Sequence, residues 1–256
     1  MEITLLQGIL ITLLVMILVV DRHLEVFFWF RPIIVCPLVG LLLNDLNTGL
    51  VAGGMVELAF AGITAVGGAS VPEALLTSVM TVVFAHITGQ PVAASLALAY
   101  PFGVLLQFVW TIRNTAFSFF NAPAEKYAAK GDVKGLTRLC IYGILITMVG
   151  VGLLTFLSVY AAQEPLKNLV EAMPDWLIHG FSVAGGLLPA VGFAMLLRVT
   201  LKAKYMPYLL AGFLFATYIK PDNVLPIAIM GLAFAMITYY RSVESPSSEG
   251  GSENGI

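Results

Sequence analysis

Glu57 is an acid with no charged neighbour for many residues. It lies in GGMVELAFAGITAVGGASVPEA (53–74), a run with no other charge until Glu73 and with Gly53-Gly54 and Gly67-Gly68 on either side. A charged acid at the centre of a membrane helix costs ~2.5–3.5 kcal/mol on insertion scales, so such an acid faces a wet cavity or takes up a proton. Two roles fit. It can cap a broken helix or bond across a subunit interface. Alternatively it binds substrate, because a carboxylate accepts from two hydroxyls at once, as a sugar's vicinal diol requires. Gly53 and Gly54 would then let backbone amides approach that ligand closely.

Other polar residues stand at breaks in the apolar pattern. Asn44 and Asp45 open NDLNTG, which reads as a turn with an Asx or N-cap role or as a binding loop. Glu73 follows Val71-Pro72, at the tip of a re-entrant segment or at a plain helix start. Gln90 sits between Gly89 and Pro91, in a loop or at a ligand. His23, His86 and His179 have no second His or Cys nearby to complete a metal set, and no H-E-x-x-H or phosphate-binding glycine loop occurs. No cofactor, metal or nucleotide is therefore expected, nor a phosphocarrier histidine. Cys36 and Cys140 lie far apart at the ends of apolar runs and read as small hydrophobes.

The elements that position these residues follow from composition. Of 256 residues, 59% are hydrophobic and 11% charged, against about a quarter charged in soluble domains. Mean hydropathy is +0.93. Apolar runs at 3–20, 33–43, 49–66, 74–87, 92–112, 139–160, 177–197, 205–219 and 224–240 are continuous. That excludes the ~10-residue alternation of a β-barrel and predicts an all-α polytopic membrane protein. A net charge of −2 gives no sign of a nucleic-acid partner. The N-terminal run lacks a basic start and a small-x-small cleavage site, so it is expected to be retained.

Charge asymmetry orients the chain. Residues 113–138 form a polar loop with Arg113, Lys126, Lys130, Lys134 and Arg138, and the turn after 197 carries Arg198, Lys202 and Lys204. Between them, 161–178 holds Glu164, Glu171 and Asp175 against Lys167. The positive-inside rule makes the first two cytoplasmic and the third external. The expected organisation is one membrane domain over 1–241, divided into 1–112, the cytoplasmic loop 113–138 and 139–241. A disordered, cytoplasmic polar tail at 242–256 follows. In the first third, 33–43, 49–66 and 74–87 are short and punctuated by proline and glycine. Such runs are re-entrant or broken helices rather than full spans, and they point to a transporter's substrate site. A faint echo of CPLVGLLLND (36–45) in YLLAGFLFAT (208–217) hints at an internal pseudo-repeat.

RPIIVCPLVGLLLNDLNTGLVAGGMVEL (31–58), GGASVPEALL (67–76), FSVAGGLLPAVGFAMLLR (181–198) and YMPYLLAGF (205–213) together resemble one family. It is the IIC membrane subunit of the bacterial phosphotransferase system (PTS), mannose/fructose/sorbose type. The resemblance runs over nearly the whole chain and looks nearest to the N-acetylgalactosamine/galactosamine branch. It implies an inner-membrane subunit that imports a hexose or hexosamine together with an obligate IID membrane partner, in an oligomer of IIC–IID pairs. Cytoplasmic IIA and IIB carriers would perform the phosphorylation, so this chain is expected not to be an enzyme itself. The family's GG-x-x-E element falls on Gly53, Gly54 and Glu57. Its polar turn falls on Asn44-Asp45, where Gly-Asp is commoner. Mannose-specific members carry other polar residues at Ala65 and Glu73. Substrate binding is thus expected at Glu57, Gly53, Gly54, Glu73, Gln90 and Asn44, with access alternating through an elevator-like shift of the broken helices.

Three other functions compete with this one. A stand-alone ion-coupled permease would use Glu57 or Glu73 as a proton relay. An intramembrane enzyme would need paired carboxylates, but the i, i+4 pairs, Asp21/Glu25 and Glu171/Asp175, fall in polar loops. A scaffold would use the small residues for helix packing.

Overall fold

The computed structural model describes residues 2–63, 71–219 and 224–244, except for the side chains of 241–244. Ala65, the Gly67-Gly68 pair and the tail from 245 onward lie outside the described residues. Everything regular among the described residues is helical. Among the described residues, four helical stretches are long and apolar enough to cross a membrane, at 5–24, 92–129, 133–161 and 175–200. The chain forms two compact units, 1–197 and 198–256.

In the first unit, helix α1 (Leu5–Leu24) begins with a capping box. Thr4 Oγ1 accepts from the Gln7 amide, and Gln7 Oε1 accepts from the Thr4 amide. Its buried stripe of Ile11, Val15, Leu18 and Val19 has helical spacing. It packs on α7 (Val133–Phe156) and the π-turn that continues it, where small residues allow close approach. A Cβ on Gly8 would lie 3.1 Å from Tyr160 Cβ, and one on Gly152 would lie 2.8 Å from Met16. Beyond that contact, Gln163 fastens the start of the chain: its Oε1 accepts from the Ile3 amide at 2.8 Å and its Nε2 donates to the Ile3 carbonyl at 3.1 Å. Gln163 opens the short α8 (Gln163–Glu171).

Helices α2 (Pro32–Leu42) and α3 (Leu46–Phe60) form a tight hairpin. At 1.5 Å per residue they reach only ~16 and ~22 Å, short of ~30 Å of hydrocarbon. Short, interrupted helices are expected at 33–43 and 49–66, and these are short; 64–66 lie outside the described residues. The reversal uses Asn44 in the left-handed region (φ 59), and the Asp45 amide returns to the Gly40 carbonyl at 2.8 Å. Asp45 then caps α3 by accepting from the Thr48 amide at 3.2 Å.

Helix α4 (Ala74–Thr88) is the centre of the unit and is buried nearly throughout. Its Thr77, Ser78 and Thr81 hydroxyls donate to carbonyls one turn back, at 2.7–3.0 Å, which satisfies them without partners from other helices. It turns at Gly89 (φ 67) into α5 (Val92–Ala116). Long α9 (Asp175–Thr200) touches the others through glycines: Gly185 meets the Ala93 carbonyl and Gly192 meets the carbonyls of Leu58 and Ala59. Most of its large side chains, Val183, Leu187 and Val191 among them, are exposed, as suits a lipid-facing helix.

One expectation changes here. The polar segment 113–138 is largely helical: α5 passes through a 3-10 turn into α6 (Asn121–Ala129). After Gly131 (φ 64), Asp132 caps α7 by accepting from the Gly135 amide at 2.9 Å. Alanines and capping residues suffice for helix despite the charges. In the second unit, α10 (Met206–Leu214) and α11 (Leu225–Glu244) are joined by a hydrogen bond between Tyr208 and Thr238 at 2.9 Å. Helix α11 extends three residues beyond 241, past the expected start of the tail.

Candidate substrate site

Two carboxylates in the apolar interior each meet an arginine from outside it. Glu57, in the last half of α3, pairs through Oε1 with Arg31, while its Oε2 accepts from the Ile33 amide at 3.2 Å. Pro32 and Ile33 are the first two residues of α2, whose opening amides lack intrahelical acceptors. Glu57 therefore caps the neighbouring helix and holds a cation together. Its side chain is 16% exposed and that of Arg31 is 49% exposed, so the pair is reachable from solvent on the arginine side.

Glu73 immediately precedes α4 and gives that helix no side-chain cap. Its carboxylate faces the Arg22 guanidinium at 3.6 Å, and its amide donates to the Gly103 carbonyl of α5 at 3.0 Å. Arg22 also bonds Glu25 at 3.0 Å and lies 4.9 Å from the centre of the Phe30 ring, next to Arg31. The sequence Glu73–Arg22–Phe30–Arg31–Glu57 thus links the end of α1, the hairpin and the start of α4. One turn on from Glu57, Phe60 meets Tyr100 of α5 with ring centres 6.0 Å apart.

Asp21 shapes the loop that presents Arg31. Its two oxygens accept from the amides of Phe27 at 2.9 Å and Trp29 at 2.7 Å, folding exposed Phe27, Phe28 and Trp29 back over the end of α1. Charged hydrogen bonds are worth ~1.5–3 kcal/mol each. Asp21→Ala is expected to lower the melting temperature by several degrees, and hydrogen exchange at 26–30 should rise more than elsewhere. Unchanged exchange there would show that the loop holds itself.

The six expected ligands divide between two ends of the helical group. Glu57 and Glu73 lie at one end, joined through arginines. Gly53 is close to Glu57: a Cβ there would sit 3.2–3.4 Å from Pro37, Pro32 and Ile33, so this glycine lets α2 lie against α3. Gly54 faces open space, with nothing within 4 Å of an added Cβ. Asn44 and Gln90 are at the opposite end, roughly 22 Å away by the length of a 15-residue helix. There Asp45 lies 3.6 Å from His86, and the Gln90 amide meets the Thr88 hydroxyl at 3.3 Å.

Arg22 and Arg31 were missed as site residues, although a signal for them existed. They are the only Lys or Arg residues in 1–112, where Glu57 lies inside one apolar run and Glu73 directly before another. Intramembrane acids pair with whatever opposite charge is at hand.

The arrangement can accept hydroxyls and donate to ring oxygens, which suits a polar solute. A family model for the sorbose-specific IIC component of the PTS matches residues 5–237. The chain belongs to that IIC family. It is the membrane-embedded transport component of a sugar phosphotransferase system, which implies partner PTS subunits. This IIC chain is 47% identical to the N-acetylgalactosamine permease IIC component 1 of Escherichia coli K12, covering 94% of the chain and 90% of that protein. It is 26% identical to the mannose-specific EIIC component of the same organism, covering 99% and 98%. The sorbose-specific EIIC component of Lacticaseibacillus casei is 28% identical, covering 93% and 86%. Among solved structures, a chain described as a membrane protein superposes with a TM-score of 0.83 at 27% identity, covering 93% and 97%. A chain from the mannose transporter ManYZ bound to microcin E492 gives 0.59 at 27% identity, covering 94% and 97%.

Proposed function

We propose that this IIC component carries N-acetylgalactosamine or galactosamine inward, with Glu57 as the principal acceptor of sugar hydroxyls. The observation that carries the reading is the Glu57–Arg31 pair on a glycine-rich hairpin too short to cross the membrane. A carboxylate has about four lone-pair sites, and two are taken here, which leaves two for a vicinal diol. Arg31 retains donors for a ring or hydroxyl oxygen. Phe60 and Tyr100 offer an aromatic face for the apolar side of a pyranose. The open space over Gly54 supports close approach on the same helix. The 47% identity to an N-acetylgalactosamine permease component supports that sugar over mannose or sorbose, whose relatives stand at 26–29%.

The N-terminus bonds to Gln163, beside the acidic segment 161–178. With that segment external, α1 enters from outside and its Arg22 end is cytoplasmic, together with Arg31 and Arg113. The carboxylate–arginine end of the site then opens toward the cytoplasm of a bacterial inner membrane, and the Asn44/Gln90 end toward the exterior. The hairpin pairs α2–α3 and α4–α5 move as one body against α1 and α7, alternating access in the manner of an elevator. A IID subunit completes the membrane unit, and such pairs assemble into an oligomer. IIA and IIB phosphorylate the arriving sugar, and removal of free sugar by mass action sets direction.

The test is uptake of labelled sugars in cells lacking hexosamine permeases, supplied with this chain and its IID, IIA and IIB. Phosphorylated N-acetylgalactosamine or galactosamine should accumulate, with mannose and sorbose taken up at least tenfold more slowly. Accumulation of free sugar by this chain alone, driven by a pH gradient, would instead establish the ion-coupled permease. Preference for mannose or sorbose would overturn the sugar assignment.

A further inference from the structure

Where α5 reaches its charged end, it carries a cation that pairs with no carboxylate among the described residues. Arg113 is half-buried, its guanidinium 4.2 Å from the centre of the Trp110 ring and 5.5 Å from that of Phe117. Its hydrogen bonds go to neutral acceptors. Nε and Nη2 donate to Asn114 Oδ1 at 3.2 and 2.6 Å, and Nη1 meets His23 Nε2 at 2.8 Å. The other ring nitrogen of His23 lies 2.9 Å from the Val19 carbonyl. A carbonyl only accepts, so Nδ1 carries the proton, Nε2 is the acceptor, and the imidazole is neutral. No carboxylate among the described residues pairs with Arg113.

Beside Arg113 runs a groove of about 200 Å³ between α5 and α7, walled by Val109, Ile112, Ala116, Ile146 and Val151. Ile112 and Ile146 are exposed on the apolar flank of the molecule. The groove is open at Gly150, where an added Cβ would meet nothing within 4 Å. An apolar channel ending at an uncompensated guanidinium, with Trp110 and Phe117 flanking it, has the chemistry of the membrane interface. Lys134 and Arg138, on the first turns of α7, add to the positive field at that end.

We infer that this groove holds one acyl chain of an anionic phospholipid, with the lipid phosphate on Arg113. A phosphate supplies the missing charge through paired N–H···O bonds. The chain fills apolar volume that a free anion would leave empty. A zwitterionic lipid is the poorer occupant, because its own cation competes with Arg113 for the phosphate.

Native mass spectrometry of the purified full chain tests this, with phosphatidylglycerol and phosphatidylcholine of identical acyl chains as probes. The wild type should retain phosphatidylglycerol about tenfold more strongly, because the ammonium of phosphatidylcholine shares the phosphate that Arg113 would bond. Arg113→Gln should bring the two lipids level. Gly150→Leu, which fills the groove without touching Arg113, should weaken retention of both. Thermal unfolding of each variant checks that it is folded, and the two variants act through different atoms. A preference that survives Arg113→Gln, or wild-type retention by Gly150→Leu, overturns the site. So does competition by glycerol 3-phosphate at the same concentration as the lipid, since the groove would then add nothing to a bare phosphate.

Discussion

Glu57→Gln is expected to reduce kcat/KM for phosphorylation-coupled sugar uptake by roughly ten- to a hundredfold, the equivalent of one charged hydrogen bond of ~1.5–3 kcal/mol. The substitution keeps the shape, and the amide oxygen still accepts from the Ile33 amide, so α2 remains capped. What disappears is the charge that holds Arg31 and one of the two lone pairs left for hydroxyls. Because Arg31 is half exposed, the ion pair itself contributes little to stability. Unfolding should shift by only ~1 kcal/mol, and assembly with the membrane partner should persist. Uptake is measured per assembled complex, alongside Arg31→Gln and the double variant. If Glu57 served only to position Arg31, the double variant would lose no more than Arg31→Gln alone. A sugar ligand predicts a further loss. Wild-type uptake in Glu57→Gln would remove Glu57 from the site and leave it the helix cap of α2.

Gly49→Leu should be among the most disruptive substitutions in the hairpin, beside Gly40→Leu. A Cβ at Gly49 would lie 2.7 Å from the Cys36 carbonyl oxygen and 3.1 Å from the Cα atoms of both Gly40 and Pro37. These are backbone atoms of the facing helix, so no side chain can swing aside. The expected cost is ~3 kcal/mol or more, at the upper end of overpacking effects. It should appear as a large fall in the melting temperature of the full chain in detergent. Gly54→Leu, in the same helix but facing open space, should melt near the wild type and yet lose uptake if the space receives sugar. Equal melting of Gly49→Leu and wild type would mean that the hairpin opens more readily than its packing suggests.

That contrast marks the limit of what local pattern conveys. Gly53 and Gly54 are adjacent and identical in sequence, and both suited the role of letting a ligand approach. The fold separates them: Gly53 is spent on α2 and Gly54 is left open. The same division applies to the polar residues. Asn44 and Glu57 share one helical hairpin, but its ends are a helix length apart, so they cannot bind one monosaccharide together. The polar segment 113–138 looked like a loop because charge density falls equally on exposed helices and on coils.

The sequence by itself determined that this is a helical membrane protein, that its first third is made of short interrupted helices, and to which family it belongs. These follow from quantities that are local and additive: hydropathy over twenty residues, proline and glycine spacing, and motif matches. Only the tertiary structure decided which charges meet. Arg31 lies 26 residues from Glu57, and Arg22 lies 51 from Glu73. Their pairing depends on how α1, the hairpin and α4 converge, which no periodicity records. Helix packing sets that convergence and Coulomb attraction then pairs the charges, but both act through space and leave no spacing in the chain.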